Sequence, residues 1–409
     1  MPFVAFLQDN ARWLAAGLLM FFCSSPGQTF FISLSAGDIR GEYGLSHGEF
    51  GSLYMAATLA SALTLTRIGQ MVDRHGTRRI VLAVVPMLAL AAACMAVSWH
   101  VATLALSLYL LRLFGQGMMS HTAFTVMGRW FRARRGQAMS LTTLGMNAGE
   151  AVFPPLFVLL SASLGWRNVW WLTAGALILV ALPVISALSA VERTPEPPGP
   201  LATRTTVRDW TRAEVLRDPL FYLTLLAMVP PAFIGNSIFF HQVHLVELRG
   251  WSLEVFASSF TLYAGLTIVF TLISGQLVDR MSGVALLPVY LLPLGFGCAL
   301  LGTVEAPWIC FVFMGLYGVS NGFSFTLFGT LWAELYGVRH AGSIRAVIMA
   351  ILVFASALGP GVTGFLIDLG VDYPSQIVAM GVYCAAVSLL MVPVGRRLRA
   401  RVRHDVGST

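Results

Sequence analysis

Long apolar runs separated by short polar segments dominate the chain. Runs of about 20 residues match a hydrocarbon core of roughly 30 Å when wound as helix. Stretches such as Leu104–Leu111 and Ile348–Phe354 do not alternate apolar with polar residues, which argues against the strands of a membrane β-barrel. Helices remain, because they satisfy every backbone donor and acceptor inside lipid. The pattern predicts twelve spans, at about 12–36, 47–70, 79–98, 101–129, 136–163, 168–190, 219–246, 252–277, 284–303, 306–336, 341–368 and 373–394. The expected fold is all-α and integral to the membrane, with twelve transmembrane helices in two six-helix pseudo-symmetric halves.

The halves are read as 1–190 and 219–409, joined by a polar linker at 191–218 that carries Pro195, Pro197, Pro198 and Pro200. A repeat supports this division. Gly69-Gln-Met-Val-Asp73-Arg74 recurs as Gly275-Gln-Leu-Val-Asp279-Arg280. Pro26-Gly27-Gln28 matches Ile234-Gly235-Asn236 in the same order, Leu113-Phe114-Gly115 matches Leu316-Tyr317-Gly318, and Pro154-Pro155 falls near the place of Pro360. Ordered matches of this kind indicate parallel repeats related by an axis along the membrane normal.

Composition agrees. Of 409 residues 57% are hydrophobic and 11% charged, against about 25% charged in a soluble domain. The net charge of +7 does not point to nucleic acid, because of where the arginines lie. They cluster at Arg74, Arg78 and Arg79, at Arg129 to Arg135, at Arg193 to Arg217, at Arg339 and Arg345, and at Arg396 to Arg403; the intervening loops hold Arg40, Arg167 and Arg249. Every second loop is basic, so both termini are expected in the cytoplasm of a bacterial inner-membrane protein. The first apolar run is long enough to stay as a span rather than be cleaved as a leader. The five cysteines lie in apolar segments without metal-site spacing and are expected as buried free thiols.

Gly69-x-x-x-Asp73-Arg74-x-Gly76-x-Arg78-Arg79 resembles the signature between helices two and three of the major facilitator superfamily. Its partial copy at Gly275, Asp279 and Arg280 lies where that family has its second copy, and Arg112 followed by Gly115-Gln116-Gly117 is a third match. The resemblance covers almost the whole chain. It implies alternating access, with the Asp73 cluster latching the cytoplasmic side and Asp279 and Arg280, partnered by Glu334, making the mirror latch. Asp73 would face the positive N-terminal end of the helix opening at Ala341, and Arg74, Arg78 and Arg79 would hold anionic lipid headgroups and nearby carboxylates.

Intramembrane ionisable groups are functional hypotheses by default. Arg112 falls near the middle of helix four, on a stripe with Tyr109 and Gln116; Glu150 lies deep in helix five on a stripe with Asn147 and Thr143. These stripes can meet, with Arg112 pairing with Glu150 or binding an anion and Glu150 carrying a proton; a fixed structural clamp is the alternative. Gln28 in helix one, Asn236 in helix seven, and Tyr317 and Asn321 in helix ten complete the candidate lining. His241 and His244 are read as hydrogen-bonding residues near the outer end of helix seven, and His121 as a packing residue.

Arg132-Ala-Arg-Arg-Gly136, Gly145-x-x-x-Gly149, Pro154-Pro155 and Gly165-Trp166-Arg167 resemble bacterial relatives of the monocarboxylate and oxalate–formate porters. That implies a small organic anion as substrate and a proton as coupling ion. The animal-type lysine on helix one and acid–arginine pair on helix eight are absent: the chain has no lysine, and 260–277 has neither acid nor arginine. The 17 methionines and the helix-seven histidines offer the ligand chemistry of a copper importer as an alternative. Its Met-x3-Met and His-x3-Met pairs do not occur, since Ala232 follows Met228 at that distance and Leu245 follows His241. A sensor on a transporter scaffold is a further alternative. Without lysine there is no phosphate-cradling Gly-Lys-Ser/Thr loop, and there is no His-Glu-x-x-His. The expectation is therefore a carrier and not an enzyme, monomeric, without cofactor or resident metal, whose partners are a small solute, a proton and membrane lipids.

Overall fold

A computed structural model describes residues 3–131, 134–194, 208–337 and 339–407. Arg132 and the linker prolines at 195–200 lie outside the described residues. The described residues are almost entirely helical and divide into two compact units, Met1–Leu201 and Ala202–Thr409. Among the described residues nine helices are long and apolar enough to cross a membrane, and a tenth span is a helix pair, Ala5–Gly27 and Thr29–Tyr43, bent by 44°. The two remaining predicted spans are also helical. His47–Ile68 is long enough but too polar in composition to count among the apolar spans, and the ninth is interrupted, running as Gly283–Leu286 and then Leu292–Thr303. Pro288 lies in that interruption and Pro293 in the first turn of the helix after it, and a proline withholds the amide the ladder needs.

In the first unit the spans after helix one and His47–Ile68 are Thr77–Val97, Val101–Trp130, Gly136–Leu164 and Trp166–Leu188. Helix two begins in a capping box: Ser46 Oγ accepts from the Glu49 amide at 3.0 Å, and Glu49 Oε2 from the Ser46 amide at 2.8 Å. Ser46 lies in a Gly-x-Ser-x-Gly run, Gly44 to Gly48, and its hydroxyl is spent on this cap. Helix one, expected over 12–36, begins earlier, at Phe3, and breaks after Cys23. Pro26 offers no amide to the Phe22 carbonyl, which accepts instead from Ser25 Oγ at 2.7 Å. Helix five packs on helix one through Gly145 and Gly149. A Cβ at Gly145 would run into the Leu18 carbonyl, and one at Gly149 into Ser25 Oγ.

In the second unit the spans are Pro219–Phe240, Leu253–Met281, the interrupted ninth, Ile309–Tyr336, Ala341–Asp368 and Tyr373–Arg401. Helix seven contains Pro230-Pro231, so the carbonyls of Leu226 and Ala227 lose their amides. Two tyrosine hydroxyls replace them: Tyr383 of helix twelve donates to the Leu226 carbonyl at 3.2 Å, and Tyr290, in the interruption of helix nine, donates to the Ala227 carbonyl. Lipid would leave those carbonyls unsatisfied, at several kcal/mol each.

The segment expected as a plain linker is partly structured. Asp218, buried, accepts from Tyr336 Oη at 2.8 Å and from Arg401 Nη1 at 2.5 Å. Arg401 lies over the rings of Trp210 (5.0 Å) and Tyr336 (5.1 Å), and the Trp210 amide donates to the Tyr336 carbonyl at 3.0 Å. Residues 208–218 are thus fastened to the ends of helices ten and twelve. The cysteines are free, with Cys298, Cys310 and Cys384 buried and Cys23 and Cys94 half-buried.

Candidate functional site

Arg112 is 1% exposed. It opens an eight-residue π-helical stretch, Arg112–Met119, inside helix four. Such wide turns interrupt the 3.6-residue register and are frequent at functional sites. The guanidinium serves the helix-one break. The amide of Phe31, the regular partner of the Gly27 carbonyl, bonds to the Gln28 carbonyl at 3.2 Å. Arg112 Nη1 donates to the vacated Gly27 carbonyl at 3.0 Å. Its Cζ lies 5.2 Å from the ring centroid of Tyr54, whose hydroxyl meets Thr29 Oγ1 at 2.8 Å. Close backbone approach makes this contact possible: a Cβ on Gly115 would lie 2.6 Å from Gly27 Cα. The Arg112 Nε is buried and makes no hydrogen bond.

Among the described residues no ion pair joins Arg112 to Glu150, so the expected pair is not formed here. The physical reason is that Arg112 is turned toward helices one and two, onto the Gly27 carbonyl and the Tyr54 ring. Tyr109 donates to or accepts from Thr64 Oγ1 of helix two at 2.9 Å. Gln116 is half-buried next to the same glycine contact, and Gln28 Nε2 reaches Ser24 Oγ at 3.4 Å.

Asn147 and Glu150 lie one turn apart on helix five, on the flank turned away from Gly145 and Gly149. Asn147 is buried, and its Oδ1 accepts no hydrogen bond; Glu150 Oε2 is likewise buried and without a partner. Thr143 of the same stripe bonds its own helix, Oγ1 to the Met139 carbonyl at 2.9 Å. Two unpaired acceptors in one apolar span are costly.

In the second unit Tyr317 Oη donates to the Pro231 carbonyl at 2.9 Å, and its ring stacks on Tyr263 with centroids 5.0 Å apart. Asn321 Nδ2 donates to Tyr263 Oη at 2.7 Å. Asn236 Nδ2 donates to the Ala232 carbonyl of its own helix at 2.8 Å. The structure therefore brings Tyr317 and Asn321 together through Tyr263, which the sequence did not single out. His241 is 3% exposed, with Nε2 at 3.0 Å from the Pro360 carbonyl, so it joins helices seven and eleven.

A family model described as Major Facilitator Superfamily matches residues 17–360, with a second match over 245–405. The chain belongs to the Major Facilitator Superfamily. Among curated relatives it is 26% identical to monocarboxylate transporter 13 of Bos taurus over 293 residues, 70% of this chain and 66% of that one. It is 25% identical to human monocarboxylate transporter 11 over 325 residues, 72% of this chain and 63% of that one. The match thus spans just under two thirds of these relatives. Among solved structures, an inward-facing bacterial homologue of the human lysosomal transporter Spinster superposes with a TM-score of 0.69 at 17% identity, covering 96% of this chain and 95% of that one.

The superfamily signature takes a defined shape in the first unit. Gly69 is buried, and a Cβ there would lie 3.2 Å from His121 Nε2, so helices two and four meet closely and His121 packs as expected. Asp73, Arg74, Gly76, Arg78 and Arg79 are exposed, and Arg74 Nη2 reaches Gln70 Oε1 at 3.4 Å. The sequence reading missed Glu192, just past helix six. Its Oε1 accepts from the Thr77 amide at 2.5 Å, and its Oε2 from Trp130 Nε1 at 2.8 Å and Arg129 Nη2 at 3.2 Å. An acid on the first amides of helix three is favourable. Burial pushes the Glu192 carboxyl up, but Thr77, Trp130 and Arg129 together hold it below the usual carboxylate range.

The second copy differs. Gly275 has open space where a Cβ would sit, and Asp279 and Arg280 are exposed. Glu334 Oε2 accepts from the Gly283 amide, at the opening of helix nine, at 2.8 Å. It thus occupies the role that Glu192 has at helix three. Gly165-Trp166-Arg167 also has a local purpose: Arg167 donates to the Ala96 and Ser98 carbonyls at 2.7 and 2.6 Å, capping helix three, and pairs with Glu42 at 2.7 Å.

Proposed function

We propose that this protein is a secondary active transporter that moves a small organic anion across the bacterial inner membrane by alternating access, coupled to protons. The observation that carries this reading is the unpaired pair of acceptors on helix five, Asn147 Oδ1 and Glu150 Oε2, buried in a membrane span. A carboxyl that changes surroundings during a transport cycle can exchange a proton with them. Arg112 is the candidate for the anion, through the free Nε edge of a guanidinium suited to a carboxylate. The relatives named monocarboxylate transporters support the substrate class. The basic loops favour cytoplasmic termini.

The test is uptake of radiolabelled small carboxylates by the purified protein in liposomes with an inwardly directed proton gradient. Accumulation that collapses with a protonophore is expected for at least one monocarboxylate. Uptake indifferent to the gradient across the series would refute the coupling.

Exposed Asp73 and its arginines set the balance between the two access states in this reading. Asp73→Asn should slow turnover on the order of fivefold, equivalent to about 1 kcal/mol of charge–helix interaction, with little change in substrate affinity. Accessibility of cysteines introduced near the outer ends of the helices should shift in parallel. An unchanged accessibility profile with normal turnover would remove the latch.

A further inference from the structure

An open groove of about 420 Å³ runs along helix eleven, lined by Ala346, Val347, Ala350, Ile351 and Phe354, with Arg212 at one end. Apart from Arg212 every lining side chain is apolar. Ala346, Ala350 and Phe354 recur at four-residue spacing and are exposed, Phe354 at 50%. They form one continuous stripe about 12 Å long.

Arg212 belongs to the short helix Arg212–Val215 in the segment fastened to helices ten and twelve. The neighbouring carboxylate cannot neutralise it. Glu214 is taken by Arg208 at 2.5 Å, by the Thr211 amide at 2.7 Å and by the Thr211 hydroxyl at 2.8 Å. Among the described residues Arg212 has no ion pair and no side-chain hydrogen bond. An exposed cation without a carboxylate partner therefore stands beside an apolar groove on a spanning helix. That arrangement complements an amphiphile with an anionic head and a hydrocarbon tail, and the bilayer itself supplies such molecules.

We propose that this groove binds one anionic phospholipid, an acyl chain along Ala346, Ala350 and Phe354 and the headgroup phosphate on Arg212. The tail gains by burial of apolar surface, and the head by a charge-assisted hydrogen bond from a planar guanidinium. The lipid would hold the 208–218 segment against helix eleven, whichever solute is carried.

The experiment is native mass spectrometry of the purified full-length protein titrated with phosphatidylglycerol or phosphatidylcholine of equal chain length. Wild type should retain one phosphatidylglycerol with roughly fivefold preference, the value of about 1 kcal/mol for one arginine at the headgroup. Arg212→Gln should bring phosphatidylglycerol down to the phosphatidylcholine level. Ala350→Trp, which fills the groove, should lower retention of both lipids while the elution profile stays monodisperse. Inorganic phosphate in excess should not compete, since it lacks the tail. Equal retention of the two lipids by wild type, an unchanged preference in Arg212→Gln, full retention in Ala350→Trp, or displacement by phosphate would each overturn the proposal.

Discussion

Gly115→Val is expected to abolish production of folded protein, and Gly115→Ala to lower its melting temperature sharply. A Cβ at position 115 would lie 2.6 Å from Gly27 Cα, 2.7 Å from the Gly27 amide nitrogen and 3.1 Å from the Ser24 carbonyl. All three atoms are backbone, so no side chain can rotate away. Helix one would have to move off helix four. The bond from Arg112 to the Gly27 carbonyl would stretch with it, leaving a buried guanidinium without its acceptor. Overpacking alone costs about 1–3 kcal/mol, and a stranded buried charge adds about 3–5 kcal/mol. Against a typical total stability of about 5–15 kcal/mol, that sum is disabling. Gly175, with nothing within 4 Å of its would-be Cβ, is the control: Gly175→Ala should leave the melting temperature unchanged. Equal melting temperatures for Gly115→Ala and wild type in detergent would show that the two backbones do not meet.

The sequence makes some of this legible. The spans follow from lipid physics. The repeat pairs Gly27 with Gly235 and Gly115 with the Tyr317 region, and both units use these positions. In the first unit an arginine of helix four bonds a helix-one carbonyl. In the second a tyrosine of helix ten bonds a carbonyl of helix seven.

What the sequence hides has physical causes. Arg112 and Glu150 lie on consecutive helices, so pairing them is the natural expectation. The partner Arg112 takes is a backbone carbonyl, which leaves no side-chain signature. The π-helical stretch after Arg112 shifts the register of Tyr109, Arg112 and Gln116 without altering the apolar pattern. Glu192 and Asp218 sit in polar segments that read as linker, and each finds partners far along the chain: Thr77 and Trp130 for one, Tyr336 and Arg401 for the other. Proline pairs announce orphaned carbonyls. They do not announce that Tyr290 and Tyr383 will satisfy them.

Glu150→Gln is the second large effect expected. Glutamine keeps the size and hydrogen-bonding reach of glutamate but cannot release a proton. Proton-driven accumulation should fall to the level of empty liposomes. Exchange of internal for external substrate needs no net proton movement and should persist within about twofold, since binding and reorientation are retained. Asn147→Asp, one turn away, should perturb the pH dependence of uptake without abolishing accumulation, because it adds a titratable group while keeping an acceptor oxygen in place.

The most direct test of the account is accumulation of a labelled monocarboxylate by Glu150→Gln in liposomes where a pH gradient is the only driving force. The account predicts equilibration without accumulation, together with intact exchange. Accumulation against the gradient at the wild-type level would contradict it and leave Glu150 a structural residue.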